Sequence, residues 1–326
     1  MKEAYEEGVG SSQEINLTLI NLLKKSGIDA APVLTRDRSS GILNVYYPSL
    51  TNLNRLFCLV NTSEGSLFLD ASNKFYPLGS VRPKLNNISG ILIEEGQSKP
   101  IDLNNTNYYS SARLTNYTID LEEEILNGKG SLKLSNQAAI DFREEEESAI
   151  NQEEVVDEED SNEEDDEDED EFEDATTYIN ILGLDDIYQP IKIDFSESKF
   201  SGIDFIDNEI FIDGFVNYEI EQNPFEKEER NFPAFFSKLP DYYNVSIIDI
   251  PSDCSITSVP SSTVINMPEG AGQFSYSATP NANKLIVKVK LKLDKGIYSP
   301  EEYIILRNFY QAIIDKQKEK IILEKV

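Results

Sequence analysis

The sequence predicts an α+β protein, in which one helix packs on a small antiparallel sheet and a longer β-rich region with a C-terminal helix follows. The first observation is the pattern of residues 11–27, which opens with Ser-x-x-Glu and closes at Gly27. The second is a series of short segments in which apolar and polar residues alternate, as they do in half-buried strands. The third is Ser-Pro-Glu-Glu at 299–302, which is typical of a helix start.

The first helix has recognisable signals at both ends. Ser11 and Glu14 have the spacing of a capping box, and Lys24 and Lys25 fall in the last turn, where the helix dipole favours cations. Gly27 can adopt the left-handed conformation that ends many helices. The apolar residues recur at helical spacing and predict one buried stripe, formed by Ile15, Leu19, Leu22 and Leu23.

The segments that follow divide the chain into two predicted domains. Residues 1–97 form a helix-on-sheet core, with strands predicted at 31–35, 43–47, 56–60, 66–69 and 90–93. Residues 98–326 form a β-sandwich region. Its first two strands are predicted at 112–121 and 130–134, on either side of a turn at Asn-Gly-Lys-Gly, 127–130. Later strands are predicted at 178–182, 191–195, 209–212, 243–250, 273–279, 284–293 and 321–323, with a helix that begins at Ser299.

The charge of the chain is concentrated in one segment. The 326 residues include 60 acidic and 29 basic ones, a net charge of −31, and 21 of the acidic residues lie in 144–174, which has no Lys or Arg. We therefore predict a disordered acidic insertion at 144–174 within the β-rich region, most simply a solvated surface loop. Attraction of a basic partner and weak Ca²⁺ binding stay open as alternatives, although the Asp-x-Asp-x-Asp-Gly spacing of a Ca²⁺ loop is absent.

Several classes of function have no signal in the sequence. The chain lacks His and has two isolated cysteines, Cys58 in an apolar run and Cys254, so no metal site is predicted. It also lacks the Gly-rich loops that bind nucleotides, and no cofactor site is predicted. Without a basic patch, nucleic acid is not an expected partner. Residues 1–7 are charged, which predicts no signal peptide in this chain, and the apolar runs are too short for a membrane span.

Residues 10–17, GSSQEINL, resemble the helix start of the transglutaminase-like (papain-like thiol) fold, which usually has Gly-x-Cys at this point. Residues 27–34, 47–57 and 67–71 are similar, in order, to the family's next strand and to its His-bearing and Asp-bearing strands. The segment NPFEKEERNFP at 223–233 resembles the entry to a C-terminal β-sandwich. The chain looks most like bacterial multidomain proteins of unknown function, with a core that is truncated at its N-terminus.

The resemblance implies a catalytic triad whose positions are altered here. The Cys position is Ser12, the His position is Arg55, and only Asp70 is retained. The family's mechanism needs a thiolate generated by an imidazole, and an arginine cannot act as the base. We therefore expect no catalytic residues. Ser12 is expected to cap a backbone N–H, and Arg55 is expected to form an ion pair with Asp70.

These observations favour a non-catalytic binding or scaffold protein, a transglutaminase-like pseudoenzyme whose ligand is a protein, a peptide or a glycan. One alternative is a residual hydrolase or acyltransferase that uses Ser12 with an unusual base such as Glu14. The other is a structural fragment, or half of a split protein whose N-terminal portion is a separate chain. The resemblance implies a periplasmic or cell-envelope setting for the parent protein.

Overall fold

The computed structural model describes residues 9–41, 43–44, 46–47, 49, 53–85, 88–103, 108–156, 175–199, 201–216, 220 and 222–326, with the backbone alone at 39, 84 and 151–156. The chain forms two compact units. The first comprises residues 1–107 and 235–238, and the second comprises 108–234 and 239–326. Strands outnumber helices in both units, so the fold is α+β and rich in sheet.

In the part of the first unit that the structure describes, one helix packs on a five-stranded antiparallel sheet. The strands are ordered β3-β2-β1-β4-β5. The elements are α1 (Ser12–Lys25), β1 (Ala30–Thr35), β2 (Arg55–Thr62), β3 (Gly65–Leu69), β4 (Ile88–Glu94) and β5 (Gln97–Leu103), with 3-10 turns at Arg38–Ser40 and Pro83–Leu85.

Both predicted ends of α1 are confirmed, but its predicted stripe is confirmed only in part, since Leu19 and Leu23 pack against the buried cluster that contains Ile20. The Ser11 hydroxyl accepts from the Glu14 backbone N–H, the Glu14 carboxylate accepts from the Ser11 backbone N–H, and Gly27 has a φ of +78°. The fully buried residues of the helix are Asn16 and Ile20. Of the four predicted stripe residues, Ile15, Leu19 and Leu23 are only partly buried and Leu22 is 50% exposed. The stripe is displaced because a polar residue, Asn16, occupies the centre of the buried face.

Strand β2 is buried on both faces, which explains its continuous apolar run. Leu56, Cys58 and Val60 pack on the side of α1 with Ile20, whereas Phe57 and Leu59 pack into a second cluster on the other face. That second cluster is completed by Val33, Val81, Leu85, Leu92 and Leu103. The prediction that Cys58 acts as a small buried hydrophobe is confirmed, since it has no exposed surface.

The burial of Cys58 makes its reactivity predictable. Loss of hydration raises the pKa of the Cys58 thiol to about 11, so the reactive thiolate is scarce at pH 8. We expect Ellman's reagent to leave Cys58 unmodified in the native protein at pH 8 and to react with it in guanidinium chloride. Because the folded pKa is raised, the stabilisation from the protonated thiol is complete below about pH 9 and is lost as the pH approaches 11. Comparison of denaturation midpoints with a Cys58→Ala variant across this pH range isolates the effect. Rapid native labelling at pH 8 would contradict the prediction.

The units divide at residue 107, whereas the sequence predicted a boundary at 97. Residue 97 begins β5, which pairs along its length with β4 and thereby belongs to the first sheet.

The strand predicted at 43–47 is not present in the described part of that range; residues 42 and 45 lie outside the described residues.

The second unit contains an eight-stranded sheet ordered β15-β16-β17-β13-β6-β7-β9-β8 and a four-stranded sheet ordered β10-β11-β19-β14. In the larger sheet β13 runs parallel to β6, and the other neighbours are antiparallel. The elements from residue 108 onward are β6 (Tyr108–Asp120), β7 (Ile125–Asn136), α2 (Gln137–Val156), β8 (Ala175–Leu182), β9 (Ile191–Lys199), β10 (Ile203–Ile206), β11 (Glu209–Asp213), β12 (Ala234–Phe235), β13 (Leu239–Asp249), β14 (Cys254–Ser258), β15 (Thr263–Asn266), β16 (Gly272–Asn281), β17 (Lys284–Leu293), β18 (Ile297–Tyr298), α3 (Tyr303–Gln317) and β19 (Lys320–Lys325). The second residue of β12, Phe235, belongs to the first unit.

The turn between β6 and β7 lies at 121–124, so its prediction at 127–130 is wrong. The Asp120 carboxylate accepts hydrogen bonds from the backbone N–H groups of Glu122 and Glu123, and Glu124 has a φ of +59°. The Asn-Gly-Lys-Gly segment lies inside β7, paired with β6 on one side and β9 on the other.

Part of the acidic segment is helical, which corrects the prediction of disorder over 144–174. Helix α2 extends to Val156, and residues 157–174 lie outside the described residues. The helix is anchored by Ala138, Ala139 and Phe142, which pack on buried residues of the sheet. The guanidinium of Arg143, which is 2% exposed, donates to the backbone carbonyls of Gly183, Leu184, Asp186 and Gln189 at 2.6–2.9 Å.

The predicted C-terminal helix is present as α3, one turn later than its first signal. The Ser299 hydroxyl accepts from the Glu302 backbone N–H, and the Glu302 carboxylate accepts from the Ser299 backbone N–H, but regular helix begins at Tyr303. Among the helices that the structure describes, none combines the length and the apolar character needed to span a membrane.

Candidate functional site

The sheet of the first unit places Ser12, Arg55 and Asp70, the three positions predicted from the resemblance, at one end. Thr35, the last residue of β1, pairs with Arg55, the first residue of β2. Asp70 follows the last residue of β3, which pairs with Cys58. The Gln13 side chain donates to the backbone carbonyl of Asn54 at 2.8 Å, so the start of α1 lies at the same end. We call this the site end of the sheet: β1 and β3 finish there, and β2 and β4 begin.

Ser12 is the first residue of α1, but it is not the capping residue. Its hydroxyl donates to the side-chain carbonyl of Gln13 at 3.2 Å, while the backbone N–H of Glu14 is capped by Ser11. An amide oxygen is not basic enough to remove a proton from an alcohol. The Glu14 carboxylate accepts from both the N–H and the hydroxyl of Ser11. The side chains of Gln13 and Glu14, which contact Ser12 and Ser11, therefore stabilise the start of the helix.

Arg55 pairs with Asp37, not with Asp70 as expected from the sequence. The Arg55 guanidinium lies 2.5 Å from the Asp37 carboxylate, which is largely buried. Asp37 follows β1, the strand that pairs with β2 at Thr35, so its side chain reaches Arg55 from the adjacent strand. The side chain of Asn54 accepts from the Asp37 backbone N–H at 2.9 Å and fixes this connection.

Asp70 is held by partners that do not include Arg55. Its carboxylate accepts from the Asn16 side-chain amide at 2.8 Å and from the backbone N–H of Ser72 at 3.1 Å. The Nε of Arg82 lies 3.3 Å from the second carboxylate oxygen, and the Ser72 hydroxyl bridges Arg82 and Asp70. Asp70 is thus neutralised by a different arginine, and its oxygens are occupied by structural hydrogen bonds.

Asn16 is the residue of this site that sequence reasoning missed. It is fully buried, and its amide also donates to the Leu56 carbonyl at 2.9 Å and accepts from the Ala71 backbone N–H at 2.8 Å. It therefore joins α1, β2 and the segment after β3. The available signal was its position four residues before Ile20, where a polar residue interrupts an apolar face.

Replacing Asn16 by leucine is expected to lower the free energy of unfolding by about 1–3 kcal/mol, because it leaves a buried N–H, a carbonyl and a carboxylate without their partner. Asn61→Leu is the control, at an asparagine of β2 whose hydrogen bonds to Asp29 and Ser66 are exposed, and it is expected to change stability by less than about 1 kcal/mol. Urea denaturation of both variants measures the difference. Equal midpoints for the two variants would show that the Asn16 network carries no stability.

The site end contains carboxylates, guanidinium groups and hydroxyls, but no imidazole, since the chain has no His. Its ion pairs suit recognition and positioning rather than proton transfer. In the part of the chain that the structure describes, no three side chains of His, Cys, Asp or Glu converge as a metal site would require.

The segment at 223–233, singled out by its sequence, packs on α3 in the second unit. The Asn223 amide donates to the Arg307 carbonyl at 3.1 Å, and the Arg307 guanidinium donates to the Phe225 carbonyl at 3.1 Å. The Phe225 ring lies against Tyr303 and Tyr310, with centroids 5.8 and 5.3 Å away. These contacts give Asn-Pro-Phe a structural role as the anchor of this loop.

Comparison with known proteins gives one family match and one informative structure. Residues 208–323 match a family described as a domain of unknown function with a solved structure, DUF3858. No curated protein is significantly similar in sequence to the chain. A crystal structure at 2.00 Å resolution of a protein from Parabacteroides distasonis, named a "putative protease", superposes with a TM-score of 0.50 and 11% identity. The alignment covers 99% of this chain and 45% of that protein, so the chain spans less than half of its length. At this identity the likeness concerns the fold alone.

Proposed function

We propose that the first unit is a degenerate transglutaminase-like domain that binds a polypeptide and does not turn it over. The observation that carries the proposal is the state of the three triad positions. Ser12 donates to Gln13, Arg55 is paired with Asp37, and Asp70 is held by Asn16 and Arg82. The order of helix, strand and strand in the first unit, with the three positions at the site end, supports the family assignment.

The chemistry of these groups argues against an acyl-transfer mechanism. A serine nucleophile needs a base that accepts its proton and a third group that orients the base. Arginine cannot act as a base in a protein, and Asp37 already forms an ion pair with Arg55. Glu14, the alternative base, is bound to Ser11 through its carboxylate. The residual hydrolase is therefore the weaker hypothesis.

The polypeptide ligand is inferred from the fold comparison. The structural neighbour is named a "putative protease", and a protease site accommodates an extended polypeptide. A domain of a similar fold that lacks the catalytic groups suits peptide or protein binding. The cell-envelope setting is proposed on the sequence resemblance alone.

A turnover assay tests the non-catalytic part of the proposal. Purified full-length chain is incubated with fluorescein-labelled casein, and separately with casein and an amine donor, to detect proteolysis and transamidation. We expect no turnover above the buffer blank, and the same result for Ser12→Ala. Ser26→Ala, which changes a serine at the opposite end of α1, is the control. Turnover by the wild type and by Ser26→Ala, with loss in Ser12→Ala, would establish the enzyme hypothesis instead.

A binding assay tests the ligand class. The labelled chain is applied to an array of 15-residue peptides and to a glycan array. We expect a subset of peptides to be retained, with at least tenfold weaker retention by Ser12→Tyr, which places a ring at the site end, and unchanged retention by Ser26→Tyr. Binding to glycans alone, or equal binding by both tyrosine variants, would overturn the polypeptide proposal.

A further inference from the structure

Two arginines at the site end are not used by the altered triad. Arg36 and Arg38 directly follow β1, on either side of Asp37. They line a cavity of 130 Å³ together with Gly41, Leu43, Ile88, Ser89 and Phe235. All of these residues belong to the first unit. The Thr35 hydroxyl donates to the Ser89 carbonyl at 2.9 Å, which places the start of β4 beside the end of β1.

Arg36 has a charged side chain without a matching acceptor. Its Nε is buried and has no hydrogen-bond partner, and it forms no ion pair with any residue that the structure describes. The Nε of Arg55 is also buried without a partner, but Arg55 and Arg82 differ from Arg36 because they form ion pairs, with Asp37 and Asp70 respectively. A buried N–H without an acceptor is unfavourable, so the surroundings of the Arg36 Nε are suited to an acceptor that arrives from outside.

The position of the Arg36 guanidinium depends on the absence of a side chain at Gly41. A Cβ at this glycine would lie 3.4 Å from one terminal nitrogen of Arg36 and 3.7 Å from its Cζ. Gly41 also has a φ of +102°, which disfavours any other residue. The backbone thus passes close to the guanidinium and encloses it on one side.

Arg38 contributes a second guanidinium in a fixed orientation. Its Cζ lies 4.0 Å above the centre of the Phe235 ring, a cation–π contact. Burial lowers the pKa of Arg38, as expected where hydration is lost. In the lining, the Ser89 hydroxyl donates at 3.3 Å to the carboxylate of Asp102, an exposed residue.

We propose that the cavity binds an oxyanion, a carboxylate or a phosphate group, through Arg36 and Arg38. The planar forks of arginine match both groups, and a volume of 130 Å³ accommodates either one without a larger attached body. With a net charge of −31 the chain as a whole repels anions, so anion binding requires a local site of this kind. The inference goes beyond the proposed function and holds whether or not the ligand is a polypeptide.

Calorimetric titration of the full chain tests the site. The probes are sodium phosphate, sodium acetate, sodium succinate and N-acetyl-glutamate amide, at an ionic strength held constant with NaCl. We expect saturable binding of at least one probe, with a Kd at least tenfold higher in Arg36→Gln. Preference for phosphate over all three carboxylates would assign a phosphate-bearing ligand, and the reverse order a carboxylate ligand. Arg230→Gln, at an exposed arginine of the second unit, is the control and is expected to leave the Kd unchanged within twofold.

A second variant separates binding from folding. Leu43→Glu keeps both arginines but brings a carboxylate to the cavity, and it is expected to abolish oxyanion binding. Arg36→Gln is expected to unfold at no lower temperature than the wild type in anion-free buffer, because no described hydrogen bond of Arg36 is lost. Three results would each overturn the site. The wild type could show no saturable binding, Arg230→Gln could lose as much affinity as Arg36→Gln, or Leu43→Glu could bind the oxyanion as tightly as the wild type.

Discussion

Replacing Gly130 by alanine is expected to lower the free energy of unfolding of the second unit by about 3 kcal/mol, the upper end of the typical cost of overpacking. Gly130 lies inside β7 and pairs with Thr115 of β6 and Phe195 of β9. An alanine Cβ would lie 2.2 Å from the Leu114 carbonyl oxygen and 3.0 Å from the Thr115 Cα. Both are backbone atoms of a central strand, so the clash is relieved only if the strands move apart.

The control for this substitution is Ser131→Ala, at the adjacent and exposed position of β7. It is expected to change stability by less than about 0.5 kcal/mol. Guanidinium denaturation followed by circular dichroism measures both variants. Unfolding of Gly130→Ala at the same midpoint as Ser131→Ala would show that the sheet accommodates a Cβ at this position without cost.

Gly128 and Gly130 also explain why the sequence predicted a turn at the wrong place. Asn-Gly is the strongest short-range hairpin signal, and it assumes that glycine is present for its backbone freedom. Here the space beside Gly128 is filled instead: a Cβ would lie 2.7 Å from the Tyr117 ring and 2.8 Å from the Glu197 side chain. The Tyr117 hydroxyl and the Arg113 guanidinium both donate to Glu197. A glycine that makes room for side chains on neighbouring strands looks, in the sequence, like a glycine that makes a turn.

The site shows which parts of a structure depend on local sequence. The ends of α1 and the positions of β1, β2 and β3 follow from short-range patterns, and these place Ser12, Arg55 and Asp70 at one end of the sheet. Their partners do not follow, because they are set by strand register and by contacts between residues far apart in the chain. Arg55 lies 18 residues from Asp37 and pairs with it across β1 and β2.

The acidic segment illustrates a competition between charge and packing. Composition favoured disorder throughout 144–174, yet helix α2 continues into this range. The residues that decide this lie before the acidic run, where Phe142 packs on the sheet and Arg143 binds four backbone carbonyls of the 183–190 loop. A helix that is anchored at one end propagates into a sequence that would not form it alone.

Replacing Phe225 by alanine is expected to lower the free energy of unfolding of the second unit by about 3–5 kcal/mol. The side chain is 8% exposed and makes edge-to-face contacts with Tyr303 and Tyr310 of α3. Both backbone polar groups of Phe225 are hydrogen-bonded. Its N–H donates to the Asn223 side chain at 3.0 Å, and its carbonyl accepts from the Arg307 guanidinium. Because these bonds hold the loop in place, we expect the cavity left by the ring to collapse only in part.

Phe232→Ala provides a matched control, because it removes the same side chain from the same segment at a position that is 72% exposed. It is expected to cost less than about 0.5 kcal/mol. If both substitutions had the same small effect, we would conclude that backbone contacts alone hold the 223–233 segment. A large effect of Phe225→Ala only would identify the ring as the anchor of this segment on α3, within the region that matches the family of unknown function. Since Phe225 lies in the second unit and Ser12 in the first, the Phe225→Ala variant also reports whether peptide retention depends on the second unit being intact.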